Sequence, residues 1–182
     1  MTFPDADMLT IKDKTFVPFI TAETIQSRIL ELADQISRDY AGKQPLIVGV
    51  LNGAVLFAAD LFRNITIPCE ITFIRVASYH ATESTGEVKQ ILGLSESVTD
   101  RHLIVVEDIV DTGLTICEVC DQLQAGNPAS IAIATLLFKP TALKKEVALD
   151  YIGFEIENRF VLGHGLDYDG LGRNTKDILV LE

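Results

Sequence analysis

The run Leu103-Ile104-Val105-Val106-Glu107-Asp108-Ile109-Val110-Asp111-Thr112-Gly113-Leu114-Thr115 constrains this chain more than any other stretch. Leu103 to Val106 is apolar at every position, the mark of a strand covered on both faces. Three carboxylates, Glu107, Asp108 and Asp111, then fall within five positions. Unpaired charge does not enter an apolar core, so the strand is expected to surface at Glu107. Gly113 permits a tight turn with positive φ. Beyond it, Ile116, Val119, Cys120 and Leu123 recur with helical spacing. Residues 112–115 would open that helix with N–H groups that are unpaired and partly positive, which favours phosphate. The hydroxyls of Thr112 and Thr115 add two donors. An ordinary turn with Asp111 as helix cap is the alternative. A cap uses one acid, however, and three close carboxylates repel unless a cation or a hydroxyl-rich ligand lies between them. The pattern therefore suits a sugar phosphate held with a metal ion.

The rest of the chain supplies a frame for that strand end. Residues 21–39 read as an amphipathic helix capped by Thr21, with Glu23 near its start and Ile25, Ile29, Leu32, Ala33 and Ile36 in one stripe. Gly42 follows as its left-handed terminator. Residues 45–51 read as a buried strand, Asn52-Gly53 as a turn and 54–63 as a packed helix. Residues 71–76 and 131–138 are further strands. This order predicts an α/β fold with a mainly parallel central sheet flanked by helices. Ligands in such sheets sit beyond the carboxyl ends of the strands, where residues 51–53 and 107–108 become neighbours. Residues 78–100 are too long and polar for a simple connection. They form either a solvated hairpin, with Val88, Ile91 and Leu92 available for pairing, or a mobile lid over the site. Past Lys139-Pro140, short strand candidates at 151–156, 160–162 and 178–181 suggest a small hood built from the C-terminal chain over residues 140–182, with a contribution from the N-terminus left open. The hood is read as part of one domain covering residues 1–182.

Composition narrows the function. A length of 182 residues suits one domain with a proper core. A net charge of −11, with no basic block longer than Lys144-Lys145, disfavours nucleic acid as a partner. No run of 18 apolar residues is present to span a membrane. The first 14 residues lack a basic-then-apolar leader, and cytoplasmic residence is expected. Cys69, Cys117 and Cys120 do not suggest a disulfide framework. The C-x-x-C spacing of the last two falls on an apolar helix face, where free cysteine packs as a small hydrophobe. His80, His102 and His164 show no ligand spacing and are expected at the surface or behind a site.

The acidic run resembles the phosphoribosyl-pyrophosphate signature of type I phosphoribosyltransferases. From about residue 10 onward the chain is similar to the hypoxanthine-guanine phosphoribosyltransferases. The resemblance implies an enzyme that moves the 5-phosphoribosyl group from phosphoribosyl pyrophosphate to hypoxanthine or guanine, giving IMP or GMP and pyrophosphate. It also implies Mg²⁺ and a homodimer or homotetramer. In that family's pattern, Glu107 and Asp108 bind the ribose hydroxyls and approach Mg²⁺. Asp111 acts as acid or base at the purine N7, and Asp111, Thr112, Gly113, Leu114 and Thr115 hold the 5-phosphate. Leu114 departs from members with Lys there. Leu51-Asn52-Gly53 resembles the pyrophosphate loop, whose peptide can be cis in the family; Asn52 replaces the Lys of some members, and an ordinary turn is the alternative.

The base site follows in the same way. Lys139 resembles the lysine at the purine 6-oxo group, where an ammonium prefers an acceptor over the amino group of adenine; taken alone it is a strand-end lysine. Phe160 would stack on the purine while the Val161 backbone reads its edge; otherwise both are core residues. Asp167 resembles the aspartate beside the base that holds a second Mg²⁺, or is a turn residue. Arg173 resembles the pyrophosphate clamp, a task suited to guanidinium, or is solvated; the Gly170-Leu171-Gly172 spacer before it is slimmer than in relatives. Ser78-Tyr79 matches the pair at the start of the lid. Mg²⁺ needs only one or two carboxylates beside substrate phosphates and waters, so weak metal binding is expected without substrate. Two alternatives stay open: a xanthine-preferring or pyrimidine phosphoribosyltransferase, and a non-enzymatic regulator on the same fold. Lys139 and Phe160-Val161 favour a purine, and the acidity of the chain speaks against a nucleic-acid-binding regulator.

Overall fold

The computed structural model describes the backbone of residues 8–80 and 87–182, and the side chains of these residues except 77–92. A hairpin, β1 (Leu9–Ile11) and β2 (Lys14–Ile20), leads into α1 (Ala22–Asp39). There follow β3 (Leu46–Leu51), α2 (Val55–Asn64), β4 (Glu70–His80), β5 (Glu87–Leu92), β6 (His102–Val110), α3 (Leu114–Gln124), β7 (Ser130–Phe138), β8 (Tyr151–Glu155), β9 (Val161–Leu162) and β10 (Ile178–Leu181). One sheet has the order β5-β4-β3-β6-β7-β8. All its neighbours are parallel except β5, which is antiparallel to β4. The expected mainly parallel α/β architecture is present. No helix among the described residues is long and apolar enough to cross a membrane.

The apolar strands explain the layering. A strand sends alternate side chains to opposite faces. Ile47, Ile104, Val106, Ala132, Ala134 and Leu136 share one buried cluster with Ile25, Ile29, Leu32 and Ile36 of α1 and Phe57, Ala58 and Leu61 of α2. Leu46, Val48, Val50, Leu103, Val105 and Ile133 share the other with Ile116, Val119 and Leu123 of α3. Each fully buried Ile or Leu contributes about 1.5–3 kcal/mol relative to exposure, so the two layers fix the sheet between the helices. The Thr21 hydroxyl caps α1 by accepting from the Thr24 N–H at 3.3 Å. That helix ends at Tyr40, and Gly42 takes its left-handed turn two residues later, with φ 79°.

A second sheet, β1-β2-β10-β9, is antiparallel throughout. It forms the hood, from β9 and β10 of the expected 140–182 region together with N-terminal β1 and β2, and only the expected strand at 151–156 lies elsewhere. Residues 151–155 extend the main sheet instead, because β8 pairs in parallel with β7 and the bare Cα of Gly153 packs against Leu136. The hood's other strands come from the N-terminus. Ile11, Phe16, Leu162 and Leu179 make its own small core, while Val161, Ile178 and Val180 join the cluster beneath α1 and α2. In the described backbone β4 and β5 are antiparallel neighbours, with Tyr79 opposite Val88 and His80 opposite Glu87. The middle of the expected lid, residues 81–86, lies outside the described residues, as do the side chains of Ser78 and Tyr79.

Candidate active site

Strand β6 does not end where its charges begin. It runs to Val110, with Glu107 in register with Thr135 of β7, and the Glu107 side chain is only 7% exposed. The ladder continues because β7 accompanies β6 that far. The expectation that Glu107 surfaces is therefore corrected. Burial, then the neighbouring Asp108, raise the Glu107 pKa well above the usual carboxylate range, so its surroundings oppose the charge without cancelling it. Asp108 is partly buried. Loss of water raises its pKa to about 6, against the Ile109 N–H, which donates to it at 2.8 Å, and against the charge of Arg173. Two carboxylates that resist ionisation side by side form a place ready for a cation or for hydroxyl donors.

The turn after β6 is organised by Gly113, which adopts φ 77° and serves as the N-cap of α3 without any side-chain cap. Asp111 thus does not cap the helix and stays available. Thr112 faces inward through its carbonyl, which accepts the Lys144 and Lys145 N–H groups at 2.9 and 3.2 Å. Beside this turn lies a hollow of about 90 Å³, lined by Asp111, Thr112, Gly113, Thr115 and Ile116 with Glu107. Leu114, where some members carry Lys, is exposed and is not among the lining residues. The bracing segment 144–145 carried no sequence signal, since its contribution is backbone.

Parallel register brings the second loop to the same place. Gly49 of β3 lies opposite Val106 of β6, so the ends of the two strands reach one level. The Leu51-Asn52 peptide is cis. A Cβ on Gly53 would collide with the Asp108 carboxylate, so only glycine lets the loop approach the acids. A cleft of about 290 Å³ opens there between Leu51, Gly53, Val76, Glu107, Asp108 and Thr115. From the hood side, Gly165 packs against the Gly53 carbonyl equally closely. Arg173 donates to the Gly165 carbonyl at 2.6 Å and pairs with Asp167 at 2.7 Å. Arg173 is therefore tied to this turn while part of its side chain stays exposed, and Asp167 also accepts the Gly170 N–H at 2.6 Å, as a turn aspartate does.

The register of β6 and β7 also sets the base end. Val110 lies opposite Phe138, and the Lys139 N–H donates to the Val110 carbonyl at 2.9 Å. The next side chains meet: Lys139 Nζ donates to Asp111 Oδ2 at 3.1 Å, with Lys139 buried and the Asp111 side chain 45% exposed. Phe160 is 44% exposed, and its ring contacts are with the hood, at 6.1 Å from Phe16 and 5.8 Å edge-on from Tyr168. Val161 is buried in β9. Tyr168 is held by its hydroxyl, which donates to Asp13 at 2.7 Å, a support from the β1–β2 turn that sequence reading missed. His164, expected at the surface or behind a site, is buried.

Residues 21–169 match the family model described as the phosphoribosyl transferase domain. The hypoxanthine-guanine phosphoribosyltransferase of Mycobacterium tuberculosis is 42% identical over 170 residues, covering 90% of this chain and 84% of that one. The enzyme of the same name from Staphylococcus aureus is 41% identical over 164 residues, covering 90% and 92%. A crystal structure of a hypoxanthine phosphoribosyltransferase from Staphylococcus aureus superposes with a TM-score of 0.84 at 39% identity, covering 91% of this chain and 90% of that one. A hypoxanthine-guanine phosphoribosyltransferase structure from Bacillus anthracis gives 0.81 at 35%, covering 94% and 98%. With this geometry and these relatives, the chain belongs to the phosphoribosyl transferase domain family, among the hypoxanthine-guanine phosphoribosyltransferases.

Proposed function

We propose that this protein is a purine-salvage enzyme that transfers the 5-phosphoribosyl group of phosphoribosyl pyrophosphate to hypoxanthine or guanine, releasing pyrophosphate and forming IMP or GMP. The observation that carries the assignment is the Lys139–Asp111 pair, set at 3.1 Å by the β6–β7 register beside the Gly113 phosphate turn. A buried ammonium and an accessible carboxylate match the two needs of a 6-oxopurine: a donor to the oxygen, and a group that takes or gives the proton at N7.

The remaining residues arrange the sugar and its leaving group. N–H groups at the start of α3 bind the 5-phosphate, helped by the Thr112 and Thr115 hydroxyls. Glu107 and Asp108 accept from the ribose hydroxyls and place negative charge beneath a sugar that turns cationic as its bond to pyrophosphate breaks. The Leu51-Asn52-Gly53 backbone and Arg173 receive pyrophosphate, and Phe160 stacks on the base while the Val161 backbone reads its edge. The donor set fits Mg²⁺, since Glu107, Asp108 and Asp167 offer hard oxygen ligands, and Asp167 is near enough to raise the Asp108 pKa. Among the described residues no group of three such side chains could hold a metal ion by itself, so these carboxylates would hold Mg²⁺ only together with substrate oxygens and water. When bound, Mg²⁺ supplies positive charge to the leaving pyrophosphate.

The test is a panel of bases offered singly with phosphoribosyl pyrophosphate and Mg²⁺: hypoxanthine, guanine, xanthine, adenine and uracil. Nucleotide formation from hypoxanthine and guanine, lost or greatly slowed in Asp111→Asn, is the expected result. Turnover of uracil or xanthine alone would overturn the base-site assignment. Absence of turnover by a folded protein that still binds phosphoribosyl pyrophosphate would point to a regulator.

A further inference from the structure

The turn Gly163-His164-Gly165 lies at the joint between the hood and the loops that face the cleft. His164 sits at φ 45°, in the left-handed region that residues other than glycine seldom occupy. Its side chain is buried, and among the described residues its Nε2 is a buried polar atom with no hydrogen-bond partner. Such an atom is unfavourable to bury and calls for an explanation. Nε2 lies 3.7 Å from Oδ2 of Asp60, on α2. The same oxygen accepts from Gln26 of α1 at 2.8 Å, and the other Asp60 oxygen pairs with Arg63 at 3.3 Å. Two charged residues stand on the segment entering β10, and Lys176 is exposed. Lys176 meets the imidazole through its backbone, and Asp177 accepts the Ala22 N–H at 2.7 Å.

The neighbours of His164 give this contact its consequence. The Gly165 carbonyl holds Arg173, and the Gly165 Cα rests on Gly53. Asp60 belongs to the helix that starts just after Gly53. His164 and Asp60 therefore join the same two pieces of chain that meet again at the candidate pyrophosphate site. We propose that His164 is a positioning residue: a proton on Nε2, shared with the Asp60 carboxylate, draws the 163–173 turn onto α2 and sets Arg173 for pyrophosphate. This role rests on the phosphoribosyl-transfer reading of the cleft. Burial holds the ring below its ordinary pKa of 6.5, with Asp60 and the Lys176 backbone pulling the other way. The contact closes on the acid side of neutrality, and a bound anion beside Arg173 favours the closed, protonated form.

Nitrogen-resolved NMR of the imidazoles follows this proton directly. The chain has three histidines, and His164→Gln identifies which signals belong to position 164. His164→Asn serves the same purpose if Gln disturbs folding, since Asn tolerates left-handed backbone. The full chain is titrated with and without magnesium pyrophosphate, and Asp60→Asn is titrated beside it. A typical coupling of about fivefold corresponds to a midpoint about 0.7 pH higher with pyrophosphate bound. Asp60→Asn should lower the midpoint and remove that response. By linkage, calorimetry should show the wild-type preference for pyrophosphate over His164→Gln growing about fivefold as the pH falls through the midpoint. A His164 midpoint indifferent to bound pyrophosphate and to Asp60→Asn overturns the proposal while leaving the phosphoribosyl-transfer reading intact. A folded protein that binds no magnesium pyrophosphate overturns both.

Discussion

Replacing Asp108 with Asn should stabilise the metal-free protein. In the folded chain the Asp108 pKa rises from the ordinary 3.8 to about 6, chiefly because burial removes water from the carboxylate. The folded state then holds a proton more tightly than the unfolded state does. The associated stability is complete below pH 3.8 and is lost as pH rises through about 6. The difference, at about 1.4 kcal/mol for each pH unit, amounts to a ceiling of about 3 kcal/mol at pH 7–8. The side chain keeps part of its surface in water, which lowers the realised value. Asn is close in shape, retains an oxygen for the Ile109 N–H and carries no charge to desolvate. Asp108→Asn should therefore gain up to ~3 kcal/mol at pH 8, or ~6–12 °C in Tm for a chain of this size, and little at pH 4. Urea unfolding with a chelator present, repeated from pH 4 to 8, measures this. Magnesium pyrophosphate should reverse the order by favouring the wild-type carboxylate. A variant no more stable than wild type at pH 8, or a gain that does not change between pH 4 and 8, refutes the reasoning.

Gly53→Ala should keep the fold at a cost of about 1–3 kcal/mol. It should weaken pyrophosphate binding at least ~10-fold, seen by calorimetry, because the new Cβ would drive the loop and the Asp108 carboxylate apart. Asp111→Asn should lower the single-turnover rate ~10²–10⁴-fold while binding of phosphoribosyl pyrophosphate changes far less. Lys139→Met should raise the KM for hypoxanthine ~10–100-fold, the worth of a charged hydrogen bond, and narrow the preference over adenine. An unchanged base preference would remove Lys139 from the purine site.

Local patterns were readable wherever one period or one residue type decides the outcome. The Ile25–Ile36 stripe with its Thr21 cap, the doubly buried strands at 46–51 and 103–106, and Gly113 at positive φ all follow from spacing and sterics. Residues 151–156 show the limit. A short apolar strand carries no mark of which sheet it joins, and the open edge of β7 claimed it for the main sheet. Glu107 shows another. Its charge argued for exposure, but the β6–β7 ladder carried it inward, where its pKa moved instead. The resemblance gave Asp111 and Lys139 their candidate roles, yet their pairing depends on Val110 standing opposite Phe138, a long-range register.

By itself the sequence determined the parallel α/β class, the acidic strand end and its phosphate-suited turn, because periodicity and glycine sterics act over a few residues. Tertiary structure alone decided how the pieces converge. It placed β8 in the main sheet, put Tyr168 under the hold of Asp13, seated Gly165 on Gly53 and left the His164 imidazole facing Asp60. Those contacts join residues far apart in the chain, and their energies depend on distance and burial that no local pattern encodes.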